Sequence, residues 1–459
     1  MKRSILYFIL INILLITSCT SPTSVPTSLS PSIPADTASV VPVTSPTTDT
    51  ARPTEVGIPI FQYPPPPSEL PAILPPATPL GSAVAFAWNN LGMHCYQIDY
   101  SQFLILPPYN VFWTQVVSRS GDDLRIITSG LTVEYNVPQV TQPTAHTNFW
   151  EYAPAYGWNL QPGIGLTGNG TSGVMKVAGD HFIADGIPVV DVNDDGTWDP
   201  YPFFVATVKD NSGAIIAETV NVAPASTEMS CYLCHIGTTV QETGANILAA
   251  HDRNSGTNLL NSVQGGKPVT CNTCHADAAM GVMANNGAQN GLSASIHTFH
   301  ADLMTGNNLP ENNCQACHPG PQTNCLRDTM AQQGITCTDC HGSMLDVGSP
   351  DRIAWVQLPT CESCHGQNLG KASNRRIDTP NTHLTADENA LYRNRKAHGG
   401  SGIYCAACHG SPHAIYPTLT ARDNEQAIRL QGKAGYISDC TVCHGERPDE
   451  SFWHIGGGD

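Results

Sequence analysis

CAACHGSPHAIYP, Cys405 to Pro417, holds a cysteine pair with a histidine directly after the second cysteine, and a further histidine, His413, four positions beyond the first. The opening CxxCH pentad is one of seven. The others are CYLCH (Cys231, Cys234, His235), CNTCH (Cys271, Cys274, His275), CQACH (Cys314, Cys317, His318), CTDCH (Cys337, Cys340, His341), CESCH (Cys361, Cys364, His365) and CTVCH (Cys440, Cys443, His444), with Cys405, Cys408 and His409 in the quoted stretch. Seven pentads fall in about 230 residues, a region too poor in aliphatic side chains for a conventional core of that size. Something other than side chains must fill it.

CxxCH is the attachment signature of c-type haem. Two thiols add across the vinyl groups, and the adjacent histidine sits beneath the iron as proximal ligand. Zinc ribbons and disulfides also use CxxC, but neither requires a histidine after each second cysteine, and here all seven pentads have one. Seven covalent haems would supply the missing apolar bulk, with short helices around the pentads and long coil between them. On these pentads, residues 228–459 resemble the multihaem c-type cytochromes over their whole length.

The histidines extend this reading. Seven of the 17 are proximal ligands, and seven more lie in the same region: His251, His297, His300, His383, His398, His413 and His454. That number supplies a distal ligand for every iron. SIHTFH, with His297 and His300, resembles an arrangement in multihaem cytochromes in which two nearby histidines reach neighbouring haems. His413 is too near His409 to serve the same iron, so it is expected to serve an adjacent one. Met280, Met283, Met304, Met330 and Met344 are the rival sixth ligands, expected instead to pack against porphyrin. Which histidine serves which haem does not follow from spacing. His94, His146 and His181 lie outside this region; His94 and His146 could reach across a domain interface to a haem, but are expected to be ordinary hydrogen-bonded histidines.

Of 17 cysteines, 14 belong to pentads and one is Cys19; Cys95 and Cys325 remain. In an oxidising compartment they read as a disulfide between two domains or as two buried free thiols.

The chain opens with Lys2, Arg3 and an apolar run from Ile5 to Ile16, then Thr17, Ser18 and Cys19, which resembles a lipoprotein signal with its lipobox. Residues 1–19 are therefore expected to be a signal peptide acylated at Cys19, and residues 20–80, rich in Ser, Thr and Pro, an extended spacer. The protein is expected to be exported and lipid-anchored, at the cell surface or facing the periplasm.

Residues 81–227 contain no CxxC and show strand alternation: Leu131, Val133, Tyr135 and Val137 share a face. FFVATV and IIAETVNV flank KDNSGA as a hairpin. The fold class is thus an N-terminal all-β, sandwich-like domain followed by a haem-packed domain of short helices and coil at 228–459. WNNLGMHCYQIDYSQFLILPPYN, Trp88 to Asn110, resembles a segment of exported multihaem cytochromes. DVNDDGTWD places Asp191, Asn193 and Asp195 as in an EF-hand-like calcium loop, but Pro202 stands where the bidentate Glu belongs, and a plain turn is the other reading.

A net charge of −17 excludes nucleic acid as a partner and favours a basic redox protein, another cytochrome or an extracellular electron acceptor. Three classes of function remain: an electron conduit, a reductase with one open haem (nitrite, hydroxylamine or tetrathionate type), and a subunit of an extracellular assembly. The conduit is preferred, because the histidines suffice for every iron and no pentad carries lysine in place of histidine.

Overall fold

The computed structural model describes residues 74–120, 124–304, 313–320, 322–359, 361, 384–385 and 402–447, all within one compact unit. Cys19 and the spacer as far as residue 73 lie outside these, as do Cys364, His365, His383, His398 and His454. Sheet dominates residues 83–226, and helices and coil follow. Among the described residues no helix is long and apolar enough to cross a membrane.

Nine strands build two sheets: β1 (Ala83–Asn89), β2 (Phe112–Ser118), β3 (Arg125–Ile126), β4 (Leu131–Asn136), β5 (Ser172–Val174), β6 (Lys176–Ala178), β7 (His181–Ala184), β8 (Phe203–Asp210) and β9 (Ile215–Val222). The first sheet runs β1-β2-β7-β6 with β3 against β2, and the second runs β9-β8-β4-β5. Their pairings are antiparallel. β8 and β9 form the hairpin that KDNSGA predicts, and Asp210 closes its turn by accepting from Ser212 N at 2.8 Å and Ala214 N at 3.0 Å.

β1 reads AVAFAWN and is buried along its whole length. A period of two sends Ala83, Ala85 and Ala87 to one face and Val84, Phe86 and Trp88 to the other. The alanines join a core between the two sheets, where Phe112 of β2 stacks on Phe204 of β8 at 3.8 Å. The larger side chains join a second core, with Trp113 and Val117 of β2 on the same side and Tyr404, Ala406, Ala407, Tyr416, Leu430 and Val442 opposite. A strand covered on both faces has no polar alternation, which is why β1 shows none. The sheet region and the C-terminal pentads therefore share a core.

Hydrogen bonds tie the same parts together. Ala87 N donates to Gln426 Oε1 at 2.8 Å, Asn89 N to Ser411 Oγ at 3.0 Å, and Tyr404 N to Gln115 Oε1 at 3.2 Å. Arg422 and Asp199 form a buried ion pair at 2.7 Å, and Gln139 and the Tyr201 N–H also donate to Asp199. Removing one member of such a pair strands the other in low dielectric. Arg422→Ala is thus expected to destabilise the protein by about 3–5 kcal/mol, read as a lower denaturation midpoint.

Two helices exceed the short ones expected: α1 (Val240–Ser255) and α2 (Leu292–Met304). Thr239 caps α1 by accepting from Glu242 N at 3.0 Å. α1 carries His251, and α2 carries His297 and His300, three residues apart and so on neighbouring positions of one face.

Candidate functional site

Six pentads are described in whole, and each forms one tight helical turn. Cys231–Leu233, Cys271–Thr273, Asn313–Ala316 and Cys440–Val442 are 3-10 turns; Cys337–His341 and Cys405–His409 are α-helical. In the 3-10 group the histidine N–H donates back to the first cysteine carbonyl, at 2.9 Å for His235, 3.0 Å for His275, 2.8 Å for His318 and 2.9 Å for His444. Residues three and four apart on a helical turn share a face, so both thiols and the imidazole leave the chain on one side.

That side is a single, mostly apolar cavity of about 2650 Å³, lined by all six of these pentads and by Cys361. A small-molecule site measures roughly 300–1,000 Å³, and protein interiors are close-packed with few voids larger than a water molecule. The space suits several bulky cofactors rather than one substrate.

Among the described residues, four imidazole pairs face each other across it. His235 meets His300 with ring centres 6.4 Å apart, His275 meets His251 at 6.3 Å, His318 meets His297 at 6.0 Å, and His341 meets His413 at 6.1 Å. Each pair joins a pentad histidine to one carried elsewhere. Two metal–imidazole bonds of about 2 Å, with roughly 1.1 Å from each nitrogen to its ring centre, set axial imidazoles about 6.2 Å apart. The gaps match an iron atom. Among the described residues no group of three or more His, Cys, Asp or Glu could hold a metal ion by itself. A metal between two imidazoles would need its remaining ligands from outside the chain, and a porphyrin supplies four. The residues present therefore fit c-type haem.

The rings are oriented by their other nitrogens, as ligating histidines are. Nδ1 lies 2.8 Å from Asn290 O in His275, 2.7 Å from Ser293 O in His297, 2.7 Å from Ile296 O in His300 and 2.9 Å from Thr257 Oγ1 in His251. Burial, with neighbouring histidines, pushes His318 down to about 4 and His341 to about 3, and burial lowers His235, His251 and His297 as well. These imidazoles are neutral at pH 7, the form that binds metal. His413 differs: burial lowers it, but Cys325 and Asp328 act the other way and the net shift is upward.

The pentads also approach one another. The Cys314 thiol is raised first by its hydrogen bond to Cys337 and then by burial. Burial pushes Cys317 up to about 11, with Cys231 and Cys234 adding to it, and burial followed by Cys408 raises Cys443. The first pentad thus neighbours the third, the third the fourth, and the sixth the seventh. His413, on the segment leaving the sixth, faces the fourth.

Other expectations fare differently. His181 stacks on Trp113 at 4.2 Å with Tyr404 Oη 3.3 Å from its Nδ1. His94 is buried beside Tyr109, burial lowers it to about 4, and its Nε2 has no hydrogen-bond partner; the same holds for Nε2 of His146. These two depart from the hydrogen-bonded role expected. Asp191 is turned inward and accepts from Tyr96 Oη, Trp198 Nε1 and both the N–H and hydroxyl of Thr227, while Asp195 caps its own turn at Thr197 N. Asp191, Asn193 and Asp195 lie in one hydrogen-bonded turn, with Asn193 N donating to Thr197 O at 2.9 Å. Cys95 and Cys325 are both free thiols in this structure. Met283, Met304, Met330 and Met344 line the cavity, and Met280 packs near Tyr100 and Phe149.

Two neighbours of His413 escaped sequence reasoning. Cys325 Sγ lies 3.6 Å from its Nδ1, and Gly92, at φ +83°, approaches the same nitrogen so closely that a Cβ there would collide with it. Comparison with known protein families, with characterised proteins and with solved structures gives no match.

Proposed function

We propose that this chain is an exported multihaem c-type cytochrome that relays electrons through bis-histidine haems. The observation that carries the reading is the set of four imidazole pairs at 6.0–6.4 Å inside one cavity lined by cysteine pairs. Bound there, c-type haem would supply one-electron Fe(III)/Fe(II) chemistry. The cysteine pairs would fix it covalently, and in the four described pairs the pentad imidazole with its facing partner would fill both axial positions. A centre filled on both sides leaves no position for substrate, which favours a carrier over a reductase.

The closeness of the first pentad to the third, the third to the fourth and the sixth to the seventh supports a relay rather than isolated centres. The fold in finer terms, a sandwich-like β domain backed by a haem-packed domain, belongs to the same proposal. So do the leader ending at Cys19, its lipid anchor, and a basic redox protein or extracellular acceptor as partner for a chain of charge −17.

Intact mass of the purified holoprotein tests the reading. Seven covalent haems are expected on the seven pentads. A gain corresponding to fewer than six, or stoichiometric zinc, overturns it.

A further inference from the structure

His413 stands apart from the other described facing histidines in what holds its ring. His251, His297 and His300 each direct Nδ1 to an oxygen at 2.7–2.9 Å. His413 directs Nδ1 to sulfur, with Cys325 Sγ at 3.6 Å. The backbone at His413 is also unusual: its φ of +62° is a left-handed conformation that a residue with a side chain adopts only where the surroundings impose it. Gly92 presses on the ring from the sheet region, and Arg327 N donates to the His413 carbonyl at 2.9 Å. Cys325 itself is seated against the cluster of Met93, Phe203 and Val205, and its remaining exposure faces the cavity. The sulfur is held in place, not free to turn away.

We propose that Cys325 is the positioning residue for His413: its sulfur accepts the Nδ1–H, fixes the ring toward His341, and sets how strongly that imidazole donates to its iron. This rests on the cytochrome reading of the His341–His413 pair. An acceptor on the outer nitrogen raises the basicity of the metal-bound one, and such outer hydrogen bonds are among the levers on haem potential. Removing the acceptor withdraws electron density from the iron and favours Fe(II). The potential of that one centre must rise.

The test is a potentiometric titration of the holoprotein followed by absorbance, with haem counted by mass in each sample. In Cys325→Val, one-seventh of the total change is expected to move to more positive potential while the rest stays put and seven haems remain. Cys325→Ser keeps a hydrogen-bond acceptor and is expected to titrate close to the parent. A valine variant that titrates like the parent, or a serine variant that shifts as far as valine, overturns the proposal. A second arm needs no variant: alkylation of the denatured parent is expected to recover Cys325 as a free thiol, whereas a Cys95–Cys325 disulfide would mean that the sulfur is committed elsewhere, and would also overturn it. Parent protein without haem would instead overturn the cytochrome reading, so the two failures are distinct.

Discussion

His413→Ala is expected to turn one iron in seven from low spin to high spin and to give it an open position that binds carbon monoxide, with the other six unchanged. Two imidazoles impose a strong axial field on iron, and removing one weakens that field and vacates a coordination site. His413 faces His341 at 6.1 Å, so the affected centre should be the one attached at Cys337 and Cys340. Gly92→Val offers an independent route to the same state, because its side chain would occupy the space of Nδ1 and push the ring off axis without altering any ligand. Optical spectra in the presence and absence of carbon monoxide read both variants. If the parent already binds carbon monoxide at one haem in seven, one of the seven candidate distal histidines is not a ligand, and the reductase reading moves ahead. If His413→Ala stays fully low spin, the pairing with His341 is wrong.

His297→Ala and His300→Ala are expected to open different centres despite lying one turn apart on α2. His297 faces His318 of the third pentad with ring planes 13° apart, while His300 faces His235 of the first at 76°. Parallel imidazoles split the iron d orbitals in the same sense and give a rhombic low-spin signal; crossed imidazoles cancel that splitting and give a strongly anisotropic one. The other two described pairs are crossed at 89° and 60°. Electron paramagnetic resonance of the oxidised protein should therefore lose a rhombic component in His297→Ala and an anisotropic component in His300→Ala. An identical loss in both variants would refute the assignment. The double variant should open two centres that are neighbours in the relay, and intramolecular electron transfer should fall most steeply there.

Much of this architecture is written locally. The CxxCH spacing fixes a helical turn with three groups on one face, and the hairpin of Phe203–Val222 follows from a strand pattern around Asn211–Gly213. What is not local is who meets whom. His297 and His300 are neighbours on one face of α2, yet His297 meets the pentad beginning at Cys314 and His300 the one beginning at Cys231, a division decided by how those pentads pack around α2. His251 reaches forward to the next pentad, and His413 reaches back past two. Spacing rules could say that His413 would not serve its own pentad; only the packing of its segment against Gly92 and Cys325 selects His341. Cys95 and Cys325 show the same limit. Counting thiols suggested a bond between them, but the count carries no information about a histidine that competes for the sulfur. The loop at Asp191 is ambiguous for a related reason: spacing alone does not say that the Asp191 carboxylate turns inward to Tyr96, Trp198 and Thr227.

The sharing of one core by the first strand and the last pentads also dictates an order of assembly. Ala87 in β1 waits for Gln426, 339 positions later, and the outer face of β1 has no cover until residues 403–442 arrive. A chain made from its N-terminus cannot close this contact early, and pairings of such long sequence separation form slowly. The face that carries Val84, Phe86 and Trp88 therefore stays open until residues 403–442 are in place. Closure then buries Val84, Phe86 and Trp88 against the segment that carries the sixth and seventh pentads. A chain cut short before Tyr404 would leave Val84, Phe86 and Trp88 without that cover, so the first strand and the last described pentads depend on each other for their burial.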